Sequence, residues 1–190
     1  GNQLKDRAAI VGIGATEFSK DSGRSEVQLA TEAILAALND AGLSAGDVDG
    51  MSVFSMENNP EIQVQRNLGF AELRFFSRVH YGGGAACATV LQAAMAVATG
   101  VADVVVCYRA MNERSGRRFG AGVQGRTPVP TAEGTQFAWY SPFGLVTPAA
   151  WVAMFAQRYM HEFGVSTDDF GRVSVVDRAF AANNPQAWFH

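Results

Sequence analysis

With 190 residues, 48% of them apolar, the chain is long enough to bury a sizeable core, long for one small domain and short for two. Fifteen basic against 18 acidic residues leave no basic footprint, which excludes a nucleic-acid partner. No apolar run reaches the roughly 18 uncharged residues of a membrane helix, and the polar start GNQLKDRAA is no signal peptide, so a cytoplasmic protein without a membrane anchor is expected.

In chain order, Ala8–Ile13 (AAIVGI), closed by Gly14, predicts a strand buried on both faces. Gly12-x-Gly14 is no dinucleotide fingerprint, because Phe18 stands where the third glycine belongs and a polar loop intervenes before the helix. Ser25 caps the first helix, with Gln28 as capping-box partner. Ala30, Ile34, Ala37, Leu38 and Ala41 form its apolar stripe, and Gly42 ends it. Asp47 to Gly50 turn the chain into a second strand, Met51–Ser55. Asn58, Asn59 and Pro60 precede a short helix, Glu61–Leu68, and a strand follows over Leu73–Val79. Three glycines, Gly82, Gly83 and Gly84, lead into an alanine-rich helix that reaches Gly100. The apolar strand Ala102–Tyr108 comes next. Strands alternating with helices imply a mostly parallel sheet between helices, α/β in class.

From Met111 the composition changes. Arg114, Arg117, Arg118 and Arg126 lie among glycines, and Phe137, Trp139, Tyr140 and Phe143 follow, which suits a packed cover or a subunit contact over residues 111–147. The arginines suit an anionic ligand such as the phosphates of coenzyme A, and equally a solvated loop edge. Two helices are predicted after it, Pro148–Phe163 and Thr167–Ala182, the second opened by Ser166, Asp168 and Asp169. The final NNPQAWFH leaves a Trp and a Phe without cover, as if more chain were to follow.

His80, His161 and His190 are scattered, no G-x-S-x-G elbow is present, and the acidic residues occupy helix starts and turns. No metal-ligand spacing surrounds the two cysteines, which fall on a helix and a strand expected to be buried, with reduced thiols. The glycines are the candidate site. Without side chains they admit a ligand closely, and the amides opening the following helix carry unpaired N–H groups suited to a thioester or an oxyanion. Small residues there also let a buried helix pack closely against its neighbours, and Tyr81 beside them suits a packed strand end as well as a ligand contact.

AAIVGIGATEFSK, AALNDAGLSAGDVDG, the glycine segment with GVADVVVCYRAMNERSG, and YMHEFGVSTDDFGRVSVVDRAFAANNPQAWF together resemble the N-terminal half of the thiolase superfamily, in its sterol-carrier-protein or lipid-transfer-protein-like branch. Within it the chain is most similar to steroid side-chain-cleaving aldolases of actinobacterial cholesterol and bile-acid degradation. The resemblance implies a thiolase-like fold of which this chain is the N-terminal half only. Residues 1–110 would form the βαβ core, 111–147 an inserted cover, and 148–190 the terminal helices of the same half.

In that family a nucleophilic cysteine opens the helix before the G-x-A-D strand, and two registers compete for its position. The C-x-x-x-L-Q-A pattern selects Cys87, followed by Leu91, Gln92 and Ala93. Counting about five turns, roughly 17 residues, back from Gly100 selects Gly83. The second is preferred, since a helix spanning a fixed layer does not readily lose a turn. Cys87 then lies one turn inside the helix, facing the core or a neighbouring helix, and no catalytic residue is identified in this chain.

Without a nucleophile, the implied reaction is retro-aldol cleavage of a 17-hydroxy steroid acyl-CoA to a 17-keto steroid and propionyl-CoA. Tyr81, Gly82, Gly83 and Gly84 would face the CoA thioester, with catalytic tyrosines in the other half. No permanently bound cofactor and no metal are expected. A 3-ketoacyl-CoA thiolase using Cys87 and a non-catalytic lipid carrier or scaffold are the alternatives. The resemblance further implies a homodimer paired through Leu73–Val79 and an OB-fold/zinc-ribbon partner linked to an enoyl-CoA hydratase.

Overall fold

The computed structural model describes residues 4–55, 57, 59–80, 86–116 and 138–188. The chain divides into two compact units, Gly1–Arg118 and Phe119–His190. In the first unit, α1 (Glu26–Ala41) starts at Ser25, whose hydroxyl accepts from the Gln28 amide at 3.2 Å, and ends at Gly42, whose φ of 68° suits a residue without a Cβ. Gln28 does not complete a capping box. Its side chain points along the helix to Glu32 at 2.9 Å, where an i,i+4 partner lies within reach. Leu29, Ala30, Ile34 and Leu38 form the buried stripe.

A short 3₁₀ turn, Ala45–Asp47, leads to β1 (Gly50–Phe54), which is buried throughout. After α2 (Glu61–Leu68) come β2 (Phe75–Val79), α3 (Ala88–Ala98) and β3 (Val105–Tyr108). The three strands pair in parallel in the order β2-β1-β3, so β1 is central, with Ser52 opposite Ser77 on one side and Cys107 on the other. Met51 packs with Leu29, Ile34, Leu38, Val64 and Phe70 of the α1 and α2 layer. α3 crosses all three strands. The architecture is the expected α/β one.

The amino end of the sheet is held by a carboxylate. Asp49 accepts from the Asp103 amide at 3.0 Å, the Val104 amide at 2.9 Å and the Arg74 guanidinium at 3.1 Å, while the Asp49 and Gly50 amides donate to the Val104 carbonyl. Burial pushes the Asp49 carboxyl up, but the two amides and Arg74 outweigh it and hold the group below its usual range.

Residues 8–13 are not the strand their apolar run predicts. The segment has no ladder partner among the described residues, and Ile10, Val11 and Ile13 are 74, 62 and 76% exposed. It lies against α1 instead. A Cβ on Gly12 would stand 2.2 Å from the Ala37 carbonyl oxygen and one on Gly14 would stand 2.3 Å from that of Ala33, while the Ile13 amide donates to Asp40 at 2.9 Å. The cysteines are free, as expected, but exposed where burial was expected: Cys107 lies on β3, an edge strand among the described residues, and Cys87 directly before α3.

In the second unit, α4 (Pro148–Phe163) begins at Thr147, whose hydroxyl accepts from the Ala150 amide at 3.3 Å, and Gly164 ends it at a φ of 66°. α5 (Thr167–Ala181) opens with a Ser166–Asp169 capping box. The Tyr159 ring meets Phe163 and Phe170 at centroid distances of 4.7 and 6.2 Å, joining the two helices across the turn. Among the described residues no helix is long and apolar enough to cross a membrane.

Candidate functional site at the carboxyl end of the sheet

In a parallel sheet the loops leaving the carboxyl ends of the strands are where ligands are met. Here the chain leaves β1 at Ser55, β2 at His80 and β3 at Arg109. Tyr81, Gly82, Gly83 and Gly84 lie outside the described residues, and so do Arg117, Arg118 and Arg126. The structure therefore defines what flanks the glycines: the buried end of β2 at Val79, exposed His80, and the start of α3.

That start differs from the reading of Cys87 as a core residue, while the turn ahead of Ala86 lies outside the described residues. Cys87 is the residue before α3, in αR geometry, and is exposed. α3 itself is held on the sheet by directional bonds. Ser77 of β2 donates to the Gln92 side chain, and the Cys107 thiol of β3 donates to the Thr89 carbonyl at 3.6 Å. Although Cys107 is exposed as a residue, its sulfur is partly covered by α3, and this desolvation pushes the thiol pKa up, so it stays protonated at neutral pH. The buried Thr89 hydroxyl donates to the Ala86 carbonyl at 2.7 Å.

Two rim features were missed in the sequence. Glu57 is only 4% exposed, and its carboxylate accepts from the Ala110 amide at 2.8 Å, the Asn59 amide at 3.1 Å and the Asn59 side chain. It ties the loop leaving β1 to the chain leaving β3. Tyr108 packs on the core with its hydroxyl buried and without a hydrogen-bond partner among the described residues. Burial, reinforced by the charges of Glu57 and Glu61, pushes this phenol far above its ordinary value, so it remains a neutral donor. A carboxylate in MENNP, flanked by amides and followed by proline, was the signal for the first; an apolar run ending in tyrosine carries none for the second. Among the described residues no cluster of His, Cys, Asp and Glu could hold a metal.

The class these features define is α/β, a parallel sheet between helices, with a glycine-rich stretch in the sequence between β2 and α3. More particularly, the chain is similar over 98% of its length to two named relatives. It is 65% identical to a "Steroid side-chain-cleaving aldolase" of Thermomonospora curvata and 62% identical to "17-hydroxy-3-oxo-4-pregnene-20-carboxyl-CoA lyase" of Mycobacterium tuberculosis, each over 187 residues. A solved structure named "Ltp2-ChsH2(DUF35) aldolase" matches 96% of this chain and 45% of its own, at 63% identity and a TM-score of 0.86. The chain spans about half the length of the curated relatives it matches, 48% of each. No protein-family model matches it.

Proposed function

We propose that this chain is the N-terminal half of a thiolase-fold aldolase that cleaves a steroid side-chain CoA thioester. The observation that carries the reading is identity above 60% along nearly the whole chain to relatives named as such an aldolase and such a lyase. In the reaction a base takes the proton of the 17-hydroxyl, and the oxygen becomes the 17-ketone as the bond from C17 to the side chain breaks. The bonding pair passes into the thioester enolate, which takes a proton to give propionyl-CoA. The glycine segment would supply space for the acyl-CoA and amide donors for the enolate oxygen, with Tyr81 beside it. The residues that move the protons would lie in the other half. No permanently bound cofactor is needed.

The proposed partner is an OB-fold/zinc-ribbon protein linked to an enoyl-CoA hydratase, and that a partner exists is supported by a solved relative whose name pairs it with ChsH2(DUF35). A homodimer through Leu73–Val79 is supported by β2 being an edge strand with Phe76 47% exposed. A cytoplasmic location completes the reading.

The test is incubation of the full-length protein and its partner with a 17-hydroxy steroid acyl-CoA. Release of propionyl-CoA is expected, and its absence refutes the proposal. A 3-ketoacyl-CoA thiolase is the second reading, favoured by Cys87 standing exposed at the start of α3. Under the aldolase reading Cys87→Ala keeps kcat within about twofold. A nucleophile's loss would lower it by three orders of magnitude or more, on the order seen when covalent catalysts are removed.

A further inference from the structure

The geometry points to Thr89 as a positioning residue, the one that fixes where α3 begins. The sequence of α3, ATVLQAAMAVA, gives it a face of small and aliphatic side chains. Apolar contact is non-directional, so such a face secures the helix on the sheet without fixing its slide or rotation. Directional bonds have to do that, and they come from two residues in one row of the sheet, Ser77 on β2 and Cys107 on β3, which flank Ser52 of β1. Ser77 reaches the Gln92 side chain, and Cys107 reaches the Thr89 carbonyl at 3.6 Å.

Thr89 differs from Gln92 because it transmits the constraint. Its carbonyl takes the bond from β3, and its hydroxyl donates backward at 2.7 Å to Ala86, which precedes Cys87 and α3. At 8% exposure it has little water to turn to instead. Three residues of helical rise span about 4.5 Å, so the bond ties the second residue of α3 to the segment just before the helix. A valine has the same shape and lacks the hydroxyl. It would leave the Ala86 carbonyl without this donor and let residues 86 and 87 fray.

The catalytic consequence rests on the proposed aldolase reading, in which groups hung from the start of α3 meet the thioester. Pre-organised donors raise kcat and leave binding little changed, each contributing about 10²–10³-fold. Loosening their support, without removing them, is expected to lower kcat about tenfold.

The experiment compares wild type, Thr89→Val and Thr89→Ser in the full-length protein with its partner, using two readouts. The first is the rate at which iodoacetamide alkylates Cys87, followed by peptide mass spectrometry so that Cys107 is counted apart. Because Cys87 is exposed, its rate reports the mobility of the helix start. The rate is expected to rise several-fold in the valine variant and to return to wild type in the serine variant. The second is steady-state cleavage: kcat about tenfold down in the valine variant, KM within twofold, and serine restoring kcat. An unchanged alkylation rate in the valine variant overturns the positioning role, as does a serine variant as fast to alkylate as the valine one. If alkylation rises while kcat is unmoved, the helix start is fixed by Thr89 but takes no part in the reaction, and the catalytic half of the inference fails. If wild type itself releases no propionyl-CoA, the aldolase reading falls, and the alkylation rates still decide whether Thr89 positions the helix.

Discussion

Replacing Asp49 by asparagine should weaken the protein at neutral pH and do almost nothing at low pH. In the folded chain the carboxylate accepts two backbone amides, from Asp103 and Val104, and the Arg74 guanidinium, with its side chain 16% exposed. Asparagine keeps the shape and one acceptor oxygen, but it turns an amide N–H₂ toward donors and removes the charge. Hydrogen bonds to charged groups contribute about 1.5–3 kcal/mol each, and one of the three is lost outright while the others become neutral, so a loss of about 2–3 kcal/mol is expected at pH 7. The sign with pH follows from the carboxyl's lowered pKa. A group whose folded pKa lies below its unfolded value, about 3.9, stabilises fully above that value and loses its contribution as pH falls through the folded one. The assay is urea unfolding of the full-length protein, wild type against Asp49→Asn, at pH 7 and again below pH 4. The gap should shrink toward zero as pH falls through the lowered folded pKa, below which protonated Asp49, like asparagine, is uncharged. A gap that persists undiminished below the carboxyl's pKa, or one under about 0.5 kcal/mol at pH 7, would refute the clasp.

Glu57→Ala strands the Ala110 and Asn59 amides in a buried rim, and at about 1–3 kcal/mol for each orphaned donor it should cost about 2–5 kcal/mol in the same urea assay. Glu57→Gln, which keeps an acceptor oxygen, should recover at least half of that loss. Gly14→Ala places a Cβ 2.3 Å from the Ala33 carbonyl oxygen, so the segment must leave α1. Accelerated hydrogen exchange at the Ile13 amide, now bonded to Asp40, should report the displacement, and unchanged exchange there would count against the packing described. Ser77→Ala removes the donor to Gln92 and should cost about 0.5–1.5 kcal/mol, readable as a fall in Tm.

The helices were legible because their ends are local events. Ser25 and Gly42, and Ser166 with Asp169, mark boundaries by chemistry contained within a few residues, and the observed ends fall on them. The parallel order of β1, β2 and β3 was legible at the level of class, from alternation alone. Residues 8–13 were not, because an apolar run states that a segment wants cover and says nothing about what covers it. Gly12 and Gly14 decide it by close approach to α1, and close approach leaves no mark in a hydropathy pattern. The exposure of Cys87 and Cys107 has the same origin: residue type indicates burial on average, whereas position at a helix start or a sheet edge settles it. Glu57 was legible only in part, because MENNP shows its local donors on Asn59 while the donor on Ala110 comes near only on folding.

The two registers for the start of α3 now separate on chemistry that can be measured. The L-Q-A tripeptide supports Cys87 only if it marks the nucleophile. In this fold Gln92 has work of its own, taking a hydrogen bond from Ser77 on β2, while Leu91 is half exposed and Ala93 buried. A tripeptide that anchors the helix to the sheet is accounted for whichever residue opens the site, so the match does not choose between Cys87 and Gly83. Exposure of Cys87 makes the choice accessible. A sulfur hidden in a core would fail to acylate for reasons of access, and its silence would mean nothing. Cys87 is exposed in this chain, so incubation of the full-length protein with acetyl-CoA, with iodoacetamide labelling of Cys87 showing that the thiol is reached, followed by peptide mass spectrometry, gives an interpretable answer either way. An acetyl group on Cys87 at turnover rates would establish the thiolase register. An unmodified Cys87 in a protein that still releases propionyl-CoA would leave carbon–carbon cleavage to acid–base chemistry, with the glycines open to the acyl-CoA.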